Sequence, residues 1–69
     1  MPAEMLEKGV YAYRGYEIQS YEAQELPYEA YDSGNRWSIV ADPGGPNHQG
    51  VDDTPTLAKA VALIDKWEG

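Results

Sequence analysis

The sequence predicts an α+β fold in which an antiparallel β-meander of three or four strands packs on one C-terminal α-helix. Three observations carry this expectation. Short segments rich in Tyr, Val and Ile recur between residues 10 and 41, separated by tight-turn residues. Apolar residues recur at helical spacing between Leu57 and Trp67. A stretch dense in Gly and Pro, residues 42–53, lies between the two patterns.

Taken in order, Pro2–Lys8 reads as one helical turn, with Met5 and Leu6 apolar and Gly9 ending it. Val10–Tyr13 and Tyr16–Ala23 read as strands. Arg14–Gly15 between them is a two-residue hairpin connection. Tyr16 and Ile18 share one face of the second strand, and Glu17 and Gln19 the other, as a sheet with one wet side requires. Pro27 lacks a donor and interrupts the pattern. Tyr28–Asp32 reads as a further short strand, so residues 16 to 32 are either one bent strand or two. Ser33–Gly34–Asn35 is a turn signal. Arg36–Ala41 is a strand with Trp37, Ile39 and Ala41 on one face and Ser38 and Val40 on the other. Asp42–Asp53 reads as a loop. Thr54 is the expected N-cap and Pro55 the first helical residue, with Asp52 and Asp53 at the positive end of the helix dipole. The helix is expected to run over 54–67 and to bury Leu57, Ala60, Val61, Ile64 and Trp67, bordered by Leu63, with Lys59, Ala62, Asp65 and Lys66 pointing away.

Sixty-nine residues make one domain, residues 1–69. Domains of this size bury only about 60% of their unfolded surface. With no cysteine, disulfides and thiolate metal sites are excluded. The aromatic residues are six Tyr and two Trp with no Phe, so every large ring carries a polar tip that needs a partner or water. No segment has the pattern of an export signal, and no apolar run approaches the roughly 20 residues of a membrane span. The expected location is the cytoplasm.

The formal charge is −7, with five bases against twelve acids. Nucleic-acid binding draws its affinity from Lys and Arg on phosphates, so no direct nucleic-acid contact is expected, and none with an anionic membrane. A basic protein partner is favoured instead. The charge is localised: residues 15–58 hold eight acids and only Arg36, while the two flanking segments are neutral.

The candidate chemistry is sparse. Gly45–Gly50 has the glycine spacing that opens a P-loop, but Val51 and Asp52 stand where that motif needs Lys and Ser or Thr. His48 among Asp42, Asp52 and Asp53 matches no metal-ligand spacing. Glu22 and Glu25 form an acid pair that a solvated strand end explains. The expectation is a chain that is no enzyme, with no cofactor, no metal and no catalytic residue. The most informative feature is a cluster of tyrosines among acids. Tyr21, Glu22, Glu25, Tyr28, Glu29, Tyr31 and Asp32 are the candidate partner-binding residues, since Tyr is enriched at binding hot spots. The functional expectation is a small acidic protein-binding module or inhibitor that docks a basic partner. A thin core and an uncovered sheet face make a self-associating structural protein, a homo-oligomer, the alternative.

The hairpin Tyr13–Arg14–Gly15–Tyr16, the Trp37 strand, the segment Pro55–Ala60 and the later Ile64–Asp65 resemble short bacterial and phage proteins of unknown function, built as a small meander followed by one helix. That resemblance implies a fold and no activity. Ile39–Pro43, Gly50–Thr54 and Ala58 also resemble the strand–loop–helix of HicB-type antitoxins, although Leu57 departs from the acidic residue usual there. That resemblance implies a domain that binds and blocks a small toxin. A phage anti-defence protein, whose carboxylates mimic a row of nucleic-acid phosphates, is the related alternative. No functional residue is carried over from either.

Overall fold

A computed structural model describes residues 3–69 of the chain. Five antiparallel strands form one sheet in the sequential order of a meander: β1 (Glu4–Glu7), β2 (Val10–Tyr13), β3 (Tyr16–Ser20), β4 (Trp37–Ala41) and β5 (Gln49–Thr54). A short helix, α1 (Tyr21–Gln24), and a 3-10 segment, Tyr28–Ser33, link β3 to β4. The helix α2 (Leu57–Glu68) closes the described chain. The α+β meander with a C-terminal helix is therefore present, with five strands instead of three or four.

The extra strands are the two edges. Pro2 lies outside the described residues, but Glu4–Glu7 is a strand and not a helical turn. Met5 pairs with Tyr11, and Glu4 with Ala12. Gly9 makes this possible. Its φ of +81° turns the chain after Lys8, and its carbonyl accepts the Ser20 amide at 2.7 Å. At the other edge, Gln49–Thr54 emerges from the expected loop to pair with β4, with Ser38 opposite Asp53 and Trp37 opposite Thr54. Gly and Asp are poor strand formers, so pairing with β4, not local propensity, makes this segment a strand.

The Arg14–Gly15 hairpin is as expected. Tyr13 faces Tyr16 across a two-residue loop, and both loop residues have positive φ, 49° and 86°. That matches the twist of the flanking strands.

Residues 16–32 are neither one bent strand nor two. β3 ends at Ser20, whose side-chain oxygen caps α1 by accepting the Ala23 amide at 3.0 Å. Glu25 leaves the helix in the left-handed conformation, φ 53°. Pro27 then opens the 3-10 segment that was expected to be a strand.

The helix α2 begins two residues later than expected. Thr56 is its N-cap and accepts the Lys59 amide at 3.1 Å. Thr54 instead ends β5, buried, and its hydroxyl donates to the Thr56 carbonyl at 2.8 Å. Asp52 and Asp53 consequently belong to β5 and do not sit on the helix N-terminus.

The core lies between α2 and one sheet face. Ile18, Ile39 and Ile64 are fully buried, joined by Ala3, Ala60 and Val61, with Tyr11, Tyr13, Tyr16, Trp37, Leu57 and Leu63 packed around them. Burial of each large side chain contributes roughly 1.5–3 kcal/mol. Trp67 is at the margin, exposed on one side and tilted against Tyr16 with ring centres 5.8 Å apart. Asp65 does not point away. It reaches back to the β2–β3 hairpin, accepting from the Tyr13 hydroxyl at 2.5 Å and pairing with Arg14 at 2.9 Å. Tyr16 likewise donates to Glu68 at 2.9 Å. Tyrosine in place of Phe lets the rim of this core clamp the helix by its hydroxyls.

Candidate functional site

The crossover from β3 to β4, residues 21–36, gathers all seven candidate partner-binding residues. It is a fixed element held by its own polar contacts. Tyr21 continues the β3–β4 pairing, its amide donating to the Arg36 carbonyl at 2.9 Å. Its ring is buried, 3% exposed, and its hydroxyl donates to Asp53 on β5 at 2.7 Å. Gln24 folds back onto the sheet. Its side-chain amide donates to the Gln19 and Ser20 carbonyls and to the Ser38 hydroxyl. Gln19 and Ser38 pair with each other, and Ser38 with Asp53; each of the first two is one residue from Ile18 or Ile39 of the core and so lies on the face opposite α2. The crossover thus covers part of the second sheet face, which was expected to be left free.

Tyr31 rests edge-on against Tyr21, ring centres 5.6 Å apart. The Arg36 guanidinium lies 5.0 Å from the centre of the Tyr31 ring and donates to the Tyr31 and Asn35 carbonyls at 3.0 and 2.7 Å. Gly34, φ 84°, ends the 3-10 segment, and Ser33 bridges the turn to Asn35.

The seven residues therefore divide. Tyr21 is an internal pillar and Tyr31 is half-buried beside it. Glu22, Glu25, Tyr28, Glu29 and Asp32 are exposed, and Tyr28 is the most open large apolar side chain among the described residues, at 83%. None of the four carboxylates forms an ion pair among the described residues, where the Arg14–Asp65 contact is the single salt bridge.

Burial, and then the hydrogen bond to the Asp53 carboxylate, raise the Tyr21 phenol above its ordinary value. The hydrogen bond to Asp65 raises Tyr13 in the same way, and the one to Glu68 raises Tyr16. Asp65 is lowered by accepting from Tyr13 and Arg14.

The Gly-rich loop is not built as a phosphate cradle. It winds around Asp42, φ 48°, whose carboxylate accepts the Asn47 amide at 2.8 Å and whose carbonyl accepts the Gly45 amide at 3.0 Å. A Cβ at Gly45 would collide with that carboxylate. An anion from the protein already fills the turn. Among the described residues no three His, Cys, Asp or Glu side chains converge as a metal site would need, and no helix is long and apolar enough to cross a membrane.

The sequence did not single out the cleft at the end of the sheet where the crossover leaves it. This space of about 560 Å³ lies between the Lys8–Gly9 turn, α1 and the start of β4, and is walled by Tyr21, Tyr31, Trp37, Lys8, Glu22 and Arg36. Its residues are spread over four separate segments, so no local motif marks it. No protein-family model, curated protein or solved structure matches the chain.

Proposed function

We propose that the chain is a non-enzymatic protein-binding module whose crossover docks a basic partner. The observation that carries this reading is Tyr28, 83% exposed among the unpaired carboxylates of Glu22, Glu25, Glu29 and Asp32 on a hydrogen-bonded element. An aromatic anchor ringed by charge on a rigid support is what a hot spot needs. The ring supplies contact area, and the carboxylates steer a cationic surface into register. In its sharper form the module is a cytoplasmic inhibitor of the antitoxin or anti-defence kind, with these carboxylates standing where nucleic-acid phosphates would sit.

The test is capture of basic proteins on the immobilised chain at low and high salt, with Tyr28→Ala and Glu25→Lys/Glu29→Lys run in parallel. The expected result is a basic protein that is released as salt rises and is not held by either variant, while both variants melt like the parent. Retention indifferent to salt or to these substitutions would overturn the proposal.

A second reading, self-association, is favoured by edge strand β1, where Met5 and Leu6 are 61% and 53% exposed. Light scattering over a concentration series decides it. Growth in mass that Leu6→Lys abolishes supports the reading, and a monomer at all concentrations ends it.

A further inference from the structure

We propose that the cleft at the end of the sheet is a binding site for a small molecule that joins a carboxylate to an aromatic ring. In a chain of net charge −7, two of the five bases, Lys8 and Arg36, line this one cleft. Glu22 lines it too, so the cleft is net cationic within an acidic protein. Neither base has a carboxylate partner among the described residues. The volume, about 560 Å³, falls in the ordinary range of small-molecule sites, roughly 300–1,000 Å³. Tyr21, Tyr31 and Trp37 line the cleft as well, Tyr31 and Trp37 half-buried and Tyr21 buried behind them.

Arg36 supplies the chemical specificity. Its guanidinium is anchored from one side only. One terminal nitrogen, Nη1, donates to the Tyr31 and Asn35 carbonyls, and the plane sits against the Tyr31 ring. The other edge, Nε and Nη2, has no partner among the described residues. That edge is the fork that grips a carboxylate with two parallel hydrogen bonds. The contacts to Tyr31 and Asn35 fix the side chain before a ligand arrives, so little rotamer freedom remains to be lost. Lys8 adds a second, exposed cation. A ring attached to the carboxylate would lie against the half-buried Trp37 and Tyr31. The inference is independent of the docking role of Tyr28, which does not line the cleft.

The experiment is a nitrogen–proton NMR titration of the full chain with indole-3-acetate as the probe, and with indole-3-acetamide as its uncharged match. The two tryptophan indoles report separately: Trp37 lines the cleft, and Trp67 lies on Tyr16. The expected result is a saturable shift of the Trp37 indole with the acid, no shift at Trp67, and binding of the amide about tenfold weaker, as loss of a charged bidentate contact implies. Arg36→Lys keeps the charge and removes the fork, and is expected to narrow the gap between acid and amide by weakening the acid. Lys8→Gln, on an exposed turn, serves as the second variant should Arg36→Lys not fold, and is expected to weaken the acid alone. Tyr28→Ala is expected to leave the titration unchanged. Equal affinity for acid and amide, or shifts that fail to saturate at millimolar probe, would overturn the proposal.

Discussion

Gly9 carries two demands that no other glycine meets together. Its φ of +81° excludes ordinary side chains, and a Cβ there would stand 2.5 Å from the Ser20 hydroxyl and 3.1 Å from the Ala23 methyl. Gly15 has a similar φ, +86°, but open space around it. Gly15→Ala should therefore cost only the left-handed penalty, about 1–2 kcal/mol. Gly9→Ala should cost more, since it also pushes α1 off the β1–β2 turn. Urea unfolding of the two variants checks this order. Asp65 gives a second residue-level expectation. Its folded pKa lies below the unfolded value of about 3.9. Its contribution to stability is then complete above that value and is lost as pH falls through the folded pKa. Tyr13 has the opposite sign: its raised pKa keeps its contribution whole below about 10, and the contribution is lost as pH rises through the folded value. Asp65→Asn should flatten the acid limb of a plot of melting temperature against pH, and Tyr13→Phe the alkaline limb. Unchanged limbs would mean the hairpin–helix clamp does not form in solution.

At the scale of elements, the two caps show how close in sequence competing signals lie. Thr54 followed by Pro55 is the stronger local signature of a helix start, yet Thr56 caps α2 and Thr54 is spent on the sheet. Register decides between them. Thr54 must pair with Trp37 to complete β5, and only after that pairing is the chain free to turn into a helix. Thr56→Ala should lose about 1 kcal/mol by uncapping the helix, with the loss read as reduced helical signal and a lower urea midpoint. Thr56→Ser should restore most of it. An unaffected Thr56→Ala variant would contradict the assigned start of α2. The same contest explains α1. Tyr21–Gln24 has a strand-like aromatic start, but Ser20 offers a cap and Gln24 can satisfy the Gln19 and Ser20 carbonyls, so the chain turns.

Across the whole molecule the charge is unevenly spread, and the fold concentrates it. The crossover and β5 carry Glu22, Glu25, Glu29, Asp32, Asp52 and Asp53, which include most of the charge of the central segment. Self-repulsion among them opposes folding, and salt screens it over about 8–10 Å at physiological strength. The Arg14–Asp65 pair, the single ion pair among the described residues, is exposed and worth little by comparison. The melting temperature should therefore rise as sodium chloride increases from low to moderate concentration, measured by circular dichroism. A fall would show that local pairs outweigh the collective repulsion.

The α+β class, the Arg14–Gly15 hairpin and the apolar face of α2 were legible in the sequence because each is dictated by neighbours. Two positive-φ residues close a tight turn, and 3.6-residue spacing buries Ala60, Val61 and Ile64 together. The fifth strand shows only in the structure, where Ser38, Ile39 and Val40 are all buried, as befits an interior strand with a neighbour on each side. The seven candidate residues lie on one crossover, and their division into pillar and surface was not legible in the sequence. By itself the sequence determined that this chain is a small acidic meander with one amphipathic helix, because period and turn chemistry are local. Only the tertiary structure decided that β1 and β5 are strands, that Tyr21 is buried while Tyr28 is open, and that Lys8, Tyr31, Arg36 and Trp37 meet around one cleft. Edge pairing and burial are set by residues distant in the chain, and their free energy outweighs local preference wherever the two conflict.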